Sequence, residues 1–89
     1  MEWKLFADLA EVAGERHVEV DGDAETAGEA LEALLVAHPG LRDRVIESGD
    51  LADHVSLLRN GENVAATEGL ETPVEPGDEL ALFPPVSGG

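Results

Sequence analysis

Apolar and polar residues alternate in several short segments of the chain, a pattern typical of strands with one buried face. Four segments follow it: 2–6, 17–21, 54–59 and 79–83. Asn60-Gly61 is the pair most favoured in a type I′ turn, and it predicts a hairpin into a further strand at 62–66. The pattern therefore predicts a sheet of short strands.

Two other segments repeat their apolar residues at helical spacing. The shorter one, 8–13, is followed by Gly14, a residue suited to ending a helix. The longer one begins where Thr26 and Glu29 match a capping box, and it ends before Pro39. Its stripe follows the i, i+3, i+4, i+7 rule: Leu31, Leu34, Leu35 and His38.

We expect a further helical stretch at 41–47 and a loop at 48–53, so one main helix must cover the sheet. This order of elements predicts an α+β domain of two layers, in which the main helix crosses one face of a mixed sheet. The predicted core is made of the inward-facing strand and helix residues: Trp3, Leu5, Val18, Val20, Val55, Leu57, Leu80, Leu82, Ala27, Ala30, Leu31, Leu34 and Leu35.

The charge of the chain excludes some classes of function. Its 89 residues include 20 acidic and 5 basic ones, which give a net charge of −15. Such a surface repels nucleic acid and anionic membranes, so neither is an expected partner. Lys4 is the single lysine. The excess of acid favours a halophilic protein whose self-repulsion is screened by salt, and the alternative is an ordinary acidic protein with a basic partner.

The chain has no cysteine, which excludes disulfides, thiolate catalysis, iron–sulfur clusters and cysteine-based zinc sites. Its apolar stretches are far shorter than the roughly 20 residues that span a bilayer. Residues 1–9 lack the basic and apolar regions of a secretory signal, so we expect a cytoplasmic protein.

No catalytic, metal or cofactor site is predicted. Residues 21–32 resemble a calcium loop, but Thr26 stands where the sharp bend requires glycine. The three histidines, His17, His38 and His54, lack the spacing of a zinc site. A small domain with one helix on one sheet also lacks the deep pocket that general acid catalysis requires.

The end of the chain is the most informative segment. Pro84 and Pro85 follow the last strand and favour an extended exit, so residues 84–89 are expected to form an arm on a body of residues 1–83. Gly88 and Gly89 have no Cβ, so a narrow channel in a partner could enclose their backbone while a reagent reaches the terminal carboxylate. Val86 and Ser87 complete the segment that such a channel would recognise.

Three segments, LALFPPVSGG, LFADLAEVAG and LLRNGE, resemble the small archaeal ubiquitin-like modifier proteins and the related small subunit of molybdopterin synthase. The resemblance covers essentially the whole chain, with residues 65–74 departing most. It implies a ubiquitin-like β-grasp fold, in which the first and last strands lie side by side and parallel. It also implies that no residue of the chain acts as a catalytic acid or base.

In this family an E1-like enzyme adenylates the terminal carboxylate, here that of Gly89. The resemblance therefore implies a modifier joined to target lysines by an isopeptide bond, which also carries sulfur as a Gly89 thiocarboxylate. One alternative is a dedicated sulfur carrier in molybdenum cofactor biosynthesis, partnered by the large subunit of molybdopterin synthase. Another is a non-covalent acidic interaction domain.

The alternation of the strands predicts a second feature, an apolar patch on the outer face of the sheet. Its members lie opposite the buried residues of their strands: Phe6, Leu58, Ala81 and Phe83. Exposed apolar surface commonly marks a partner site, and this patch would lie at the root of the arm. In the alternative, Phe6 folds under the short helix and Phe83 under the proline segment.

Overall fold

The computed structural model describes residues 1–20 and 23–84, which form a sheet with a helix across one face. The strands are β1 (Glu2–Leu5), β2 (His17–Glu19), β3 (Ile46–Glu47), β4 (Asp50–Leu51), β5 (Ser56–Arg59), β6 (Glu62–Asn63) and β7 (Glu79–Phe83). The α-helices are α1 (Asp8–Ala13), α2 (Ala27–Ala37) and α3 (Arg42–Val45). Short 3₁₀ turns occupy Pro39–Leu41, Val64–Ala66 and Gly69–Glu71.

The main sheet has the strand order β2-β1-β7-β5-β6, so the first and last strands of the chain lie together at its centre. β1 and β7 are parallel, with Trp3 opposite Leu80 and Leu5 opposite Leu82. The other pairs are antiparallel. This mixed sheet crossed by one main helix confirms the predicted α+β, β-grasp fold.

The core lies between the inner face of the sheet and α2. Twelve of the thirteen predicted core residues are buried in it, and the remaining one, Val20, is partly buried and packs against it. The sequence pattern missed five buried residues outside the main helix and sheet: Leu9, Leu41, Val45, Val64 and Val74. They belong to α1, to the segment after α2 and to the long connection before β7, so they close the ends of the core.

Local hydrogen bonds explain where the helices begin and end. Glu29 N–H donates to Thr26 Oγ1 at 3.2 Å, and the Glu29 carboxylate accepts from the N–H of Glu25 at 3.0 Å. The predicted capping box is therefore present, although its return bond reaches one residue beyond the cap. At the end of α1, Gly14 adopts φ 85° and donates its N–H to Ala10, as predicted for a glycine that ends a helix.

The prediction for the region between α2 and β5 was partly wrong. Residues 48–53 are not all loop, because β3 and β4 form a hairpin around Ser48-Gly49, whose φ values are 55° and 81°. The helical stretch predicted at 41–47 ends at Val45 for the same reason. Strands of two residues carry too little alternation for a sequence pattern to detect.

Several predicted strands are also shorter in the structure. β1 ends at Leu5, since Ala7 turns the chain with φ 52°, and β5 begins only at Ser56. The strand predicted at 62–66 ends at Asn63, whose side-chain oxygen accepts from the N–H of Ala65 and starts a 3₁₀ turn. β2 ends at Glu19, and Asp21 lies outside the described residues.

A buried carboxylate ties the β5–β6 turn to the start of β7. Asp78 accepts from Arg59 Nε at 2.6 Å, from Asn60 Nδ2 at 3.0 Å and from the N–H of Glu75 at 2.7 Å. Burial opposes ionisation of Asp78, but these hydrogen bonds outweigh it and hold its pKa below the usual range. Asn60, at φ 50°, and Gly61, at φ 85°, form the predicted left-handed turn.

Candidate functional site

The outer face of the sheet brings three of the predicted patch residues together. Leu58 lies directly opposite Ala81 on neighbouring strands, and Phe83 lies two residues further along β7, opposite Ser56. All three are half-buried. Their positions alternate with the buried Leu57, Leu80 and Leu82, so the period of the strands places them on the face away from α2.

Phe6 completes the patch from the turn that follows β1. Its ring stacks on Phe83 with centroids 4.1 Å apart and planes 9° from parallel. Phe6 remains 38% exposed. Because β7 ends at Phe83 and the chain continues into Pro84, this aromatic pair stands where the C-terminal segment leaves the sheet.

The opposite end of the same face is acidic. Glu2 lies between Glu19 on β2 and Glu79 on β7, so three carboxylates stand side by side across the sheet. Two cations partly neutralise them: Lys4 Nζ lies 3.2 Å from Glu79, and the terminal ammonium of Met1 lies 3.6 Å from Glu19. The outer face therefore changes from apolar near Pro84 to charged at the far end.

A groove beside α1, with a volume of about 960 Å³, borders the aromatic pair. Its lining includes Phe6 and charged or titratable side chains of both signs: Lys4, Arg16, His17, Asp8, Glu11 and Glu15. Sequence reasoning missed this cluster, since Lys4 and His17 become neighbours only through the antiparallel pairing of β1 with β2. The sequence has only five basic residues, so the position of each one could have been considered as part of a site.

The remaining predicted site residues, Val86, Ser87, Gly88 and Gly89, lie outside the described residues. In the ranges 1–20 and 23–84, no group of three or more histidine, aspartate or glutamate side chains is arranged to hold a metal ion. His17 and His54 are exposed, and His38 caps the C-terminus of α2. His54 precedes β5 and does not lie within the predicted strand. No helix of the described chain has the length and apolar character of a membrane span.

Comparisons with known proteins match almost the entire chain. The model of the ThiS family matches residues 3–89, so the match extends through both terminal glycines. Small archaeal modifier protein 1 of Haloferax volcanii is 62% identical to the chain over 92 residues, and the alignment spans 100% of both proteins. Sulfur carrier protein CysO of Mycobacterium tuberculosis is 30% identical over 79 residues, spanning 85% of this chain and 83% of its own.

The fold agrees with these matches. The crystal structure of small archaeal modifier protein 1 from H. volcanii superposes with a TM-score of 0.89 at 59% identity, covering 100% of this chain and 98% of that one. Proteins of this kind act with E1-like activating enzymes. The chain therefore belongs to the ThiS family, as a ubiquitin-like modifier and sulfur carrier of the small archaeal type rather than an enzyme.

Proposed function

We propose that the carboxylate of Gly89 is the group through which this modifier and sulfur carrier acts. An E1-like enzyme converts it with ATP into an acyl adenylate and releases pyrophosphate. A sulfur donor at the oxidation level of hydrosulfide then attacks the acyl carbon and releases AMP, which leaves a Gly89 thiocarboxylate. Alternatively, the amine of a target lysine attacks the same carbon, releasing AMP and a proton to form an isopeptide bond. The adenylating partner supplies the chemistry, and this chain supplies the carboxyl group and the surface by which it is recognised.

The observation that supports this proposal best is the position of the apolar patch. Phe6 and Phe83 stack where β7 ends, next to Pro84, and Leu58 and Ala81 extend the patch along the same face. A partner that binds this face holds the root of the C-terminal segment. From there, six residues at about 3.3 Å each extend up to roughly 20 Å toward a reactive centre.

We accordingly assign residues 1–83 to a body that partners recognise and residues 84–89 to an arm that they enclose. Val86, Ser87 and Gly88 are the proposed contacts of the channel that leads to Gly89. Small residues suit a narrow channel because their backbone can be approached closely. The E1-like enzyme binds the patch first, and lysine-bearing target proteins receive the activated chain in the cytoplasm.

The positions of basic residues determine how this proposal is tested by mass spectrometry. No lysine or arginine follows Arg59, so trypsin would leave residues 60–89 on a modified lysine. The last glutamate is Glu79, so a glutamate-specific protease leaves only residues 80–89, LALFPPVSGG. We would digest protein from the native host with this protease and search for that segment on lysines, and would weigh the free protein for exchange of one terminal oxygen for sulfur.

Conjugated lysines together with a sulfur-containing terminus are the expected result. A sulfur-containing terminus without any conjugate would instead support a dedicated carrier for the large subunit of molybdopterin synthase. If neither product is found in cells that express the chain, the proposed role of Gly89 is wrong. The matched control is a chain that ends at Ser87, which retains the body and loses both glycines.

A further inference from the structure

One edge of the main sheet carries backbone groups with no partner in the described residues. β2 is an edge strand, with β1 on one side. Met1 and Val20 exchange two hydrogen bonds, each of 3.0 Å, and Leu5 N–H donates to Arg16 at 2.8 Å. Hydrogen-bonded pairs alternate along an antiparallel ladder, so the N–H and C=O groups of His17 and Glu19 face away from β1.

Next to this edge lies an apolar groove that the sequence pattern did not reveal. It has a volume of about 570 Å³ and runs between the end of β2 and α2. Its α2 side consists of residues at helical spacing, and its β2 side of two consecutive residues: Glu29, Glu32, Ala33, Val36 and Ala37 on the helix, with Glu19 and Val20 on the strand. Val36 is 71% exposed, the highest exposure of the large apolar side chains in the described residues.

The charge around the groove indicates what kind of segment can bind there. Three glutamates line it, and two have cations nearby: Glu32 with Arg42 at 2.6 Å, and Glu19 with the Met1 ammonium at 3.6 Å. Within the described residues, the Glu29 carboxylate forms no ion pair. A second copy of the chain, with its own charge of −15, would be repelled, whereas a cationic segment would be attracted.

We propose that the β2 edge and the β2–α2 groove together bind an extended segment of another protein, apolar in its centre and flanked by lysine or arginine. The segment adds a strand beside His17–Glu19, so its backbone pairs with the free groups of His17 and Glu19. Alternate apolar side chains then lie against Val20, Ala33 and Val36, and the basic flanks approach Glu29 and Glu32.

This surface is separate from the proposed route to Gly89. The groove lies on the α2 side of the sheet, near Glu19, whereas the patch lies on the outer face near Phe83. Glu19 aligns with Glu2 and Glu79, at the other end of β7 from Phe83. A protein bound in the groove therefore does not cover the patch, so this chain can be recognised after it has been attached to a target.

The probe is a synthetic peptide with a core of alternating valine and isoleucine between pairs of lysines. Binding to the full chain is followed through its backbone amide resonances, in salt sufficient for folding. We expect the largest changes at residues 17–20 and 33–37. A control peptide of the same composition, with lysines interrupting the core, should bind at least about tenfold more weakly. Equal binding of the two peptides would overturn the proposal, as would changes confined to Phe6, Leu58 and Phe83.

Two N-methylated peptides test strand addition itself. Only alternate N–H groups of an added strand point toward β2. Methylation of one alternate set should therefore abolish binding, while methylation of the other set should leave it nearly unchanged. If both methylated peptides bind equally, the segment is not bound as a strand and the proposal is wrong.

Val36→Asp tests the groove without disturbing the core, because Val36 is largely exposed. We expect roughly tenfold weaker peptide binding, which corresponds to about 1.4 kcal/mol. Ala65→Asp is the matched control, since it adds the same charge at an exposed position away from the groove and should change binding by less than about twofold. Equal losses in the two variants would mean that the groove does not hold the peptide, and would overturn the proposal.

Discussion

The two faces of the main sheet are built from the same strands, yet they differ in what they contact. On the inner face, Trp3, Leu80 and Leu82 are fully buried under α2. On the outer face, their neighbours in sequence are Lys4, Ala81 and Phe83, which are only partly buried. A step of one residue along a strand therefore separates a core position from a surface position.

This difference divides the work of the sheet between stability and recognition. Burial of large apolar side chains is the main favourable term in folding, and the inner face contributes to it through fully buried residues such as Trp3, Leu80 and Leu82. The outer face contributes less to stability, so its stacked Phe6–Phe83 pair and its row of glutamates are available for partners. Substitutions one residue apart should therefore have opposite consequences.

Leu82→Asp and Phe83→Asp test this division most directly. Leu82 is fully buried, so a charge there should cost more than about 4 kcal/mol and leave the domain largely unfolded. Phe83→Asp loses a stacked ring on the outer face and should cost about 1–2 kcal/mol, with the fold retained. Emission of Trp3, the only tryptophan, reports unfolding in both variants.

The activating enzyme provides the second measurement for this pair. Phe83→Asp, and Leu58→Asp as an independent variant, should weaken its binding by tenfold or more (about 1.4 kcal/mol), because both residues belong to the apolar patch. Ser56→Asp is the control, since Ser56 lies opposite Phe83 on the same face but is polar. Unfolding of the Phe83 and Leu58 variants would show that the outer face is part of the core.

The inner face could be predicted from sequence because its information is local. Alternation identified Trp3, Leu5 and Leu82, and the capping box at Thr26 located the start of α2. The parallel pairing of β1 with β7 came only from the resemblance, since a period of two does not specify which strands are neighbours. The hairpin at 46–51 escaped detection because its strands have only two residues each.

The candidate site was less predictable for a related reason. Alternation predicted the positions of Leu58, Ala81 and Phe83, and it also predicted Phe6, although Phe6 lies just beyond the end of β1 in the structure. The turn at Ala7, with φ 52°, and the stacked ring of Phe83 determine its position. The β2–α2 groove depends on the packing of two distant segments, and sequence spacing shows only the half that lies on α2.

Asp78 is a buried polar residue, in contrast to the exposed glutamates of the outer face. Its side chain is 8% exposed and accepts hydrogen bonds from Arg59 and Asn60. Asp78→Asn should destabilise the domain by about 2 kcal/mol near neutral pH, since a charged hydrogen-bond partner of Arg59 is lost. The pKa of Asp78 is lower in the folded chain than its ordinary value of 3.8, so its stabilisation is present above that value. It is lost as the pH falls through the lower, folded-state pKa.

The measurement compares urea unfolding of the natural chain and the Asp78→Asn variant between neutral and strongly acid solution. The difference in free energy of unfolding should shrink below about pH 3.8 and stay constant above it. Using the difference removes the contribution of the other carboxylates, which titrate in both proteins. A difference that persists at the acid end would mean that the Asp78 charge does not stabilise the β5–β7 connection.

Salt should affect the two faces of the sheet differently. Screening weakens the repulsion between exposed charges and leaves buried apolar contacts in place. The screening length falls from about 10 Å at 0.1 M salt to about 3 Å at 1 M. With a net charge of −15, we expect molar NaCl to stabilise the fold by about 1 kcal/mol, or roughly 4–8 °C in Tm.

A Glu2→Gln variant distinguishes charge repulsion from a general effect of salt. Glu2 stands between Glu19 and Glu79, so removing its charge should raise the Tm at low salt and reduce the gain on adding NaCl. An identical gain in the variant and the natural chain would show that this row of carboxylates does not cause the salt dependence. Equal Tm at low and high salt in the natural chain would remove the argument for a halophilic protein.

Deletion of Gly88 and Gly89 should have the smallest effect on stability and the largest effect on function. The two residues have no side chains to bury, so the circular dichroism spectrum and the Tm should stay nearly unchanged. The terminal carboxylate would then belong to Ser87, about 7 Å short of its former reach at roughly 3.5 Å per residue. Conjugation and thiocarboxylate formation should both be abolished, because in the proposed mechanism the carboxylate enters the enzyme while the patch remains bound. Adducts formed by the truncated chain would show that the proposed arm does not set this reach, and unfolding on truncation would show that body and arm are not separate.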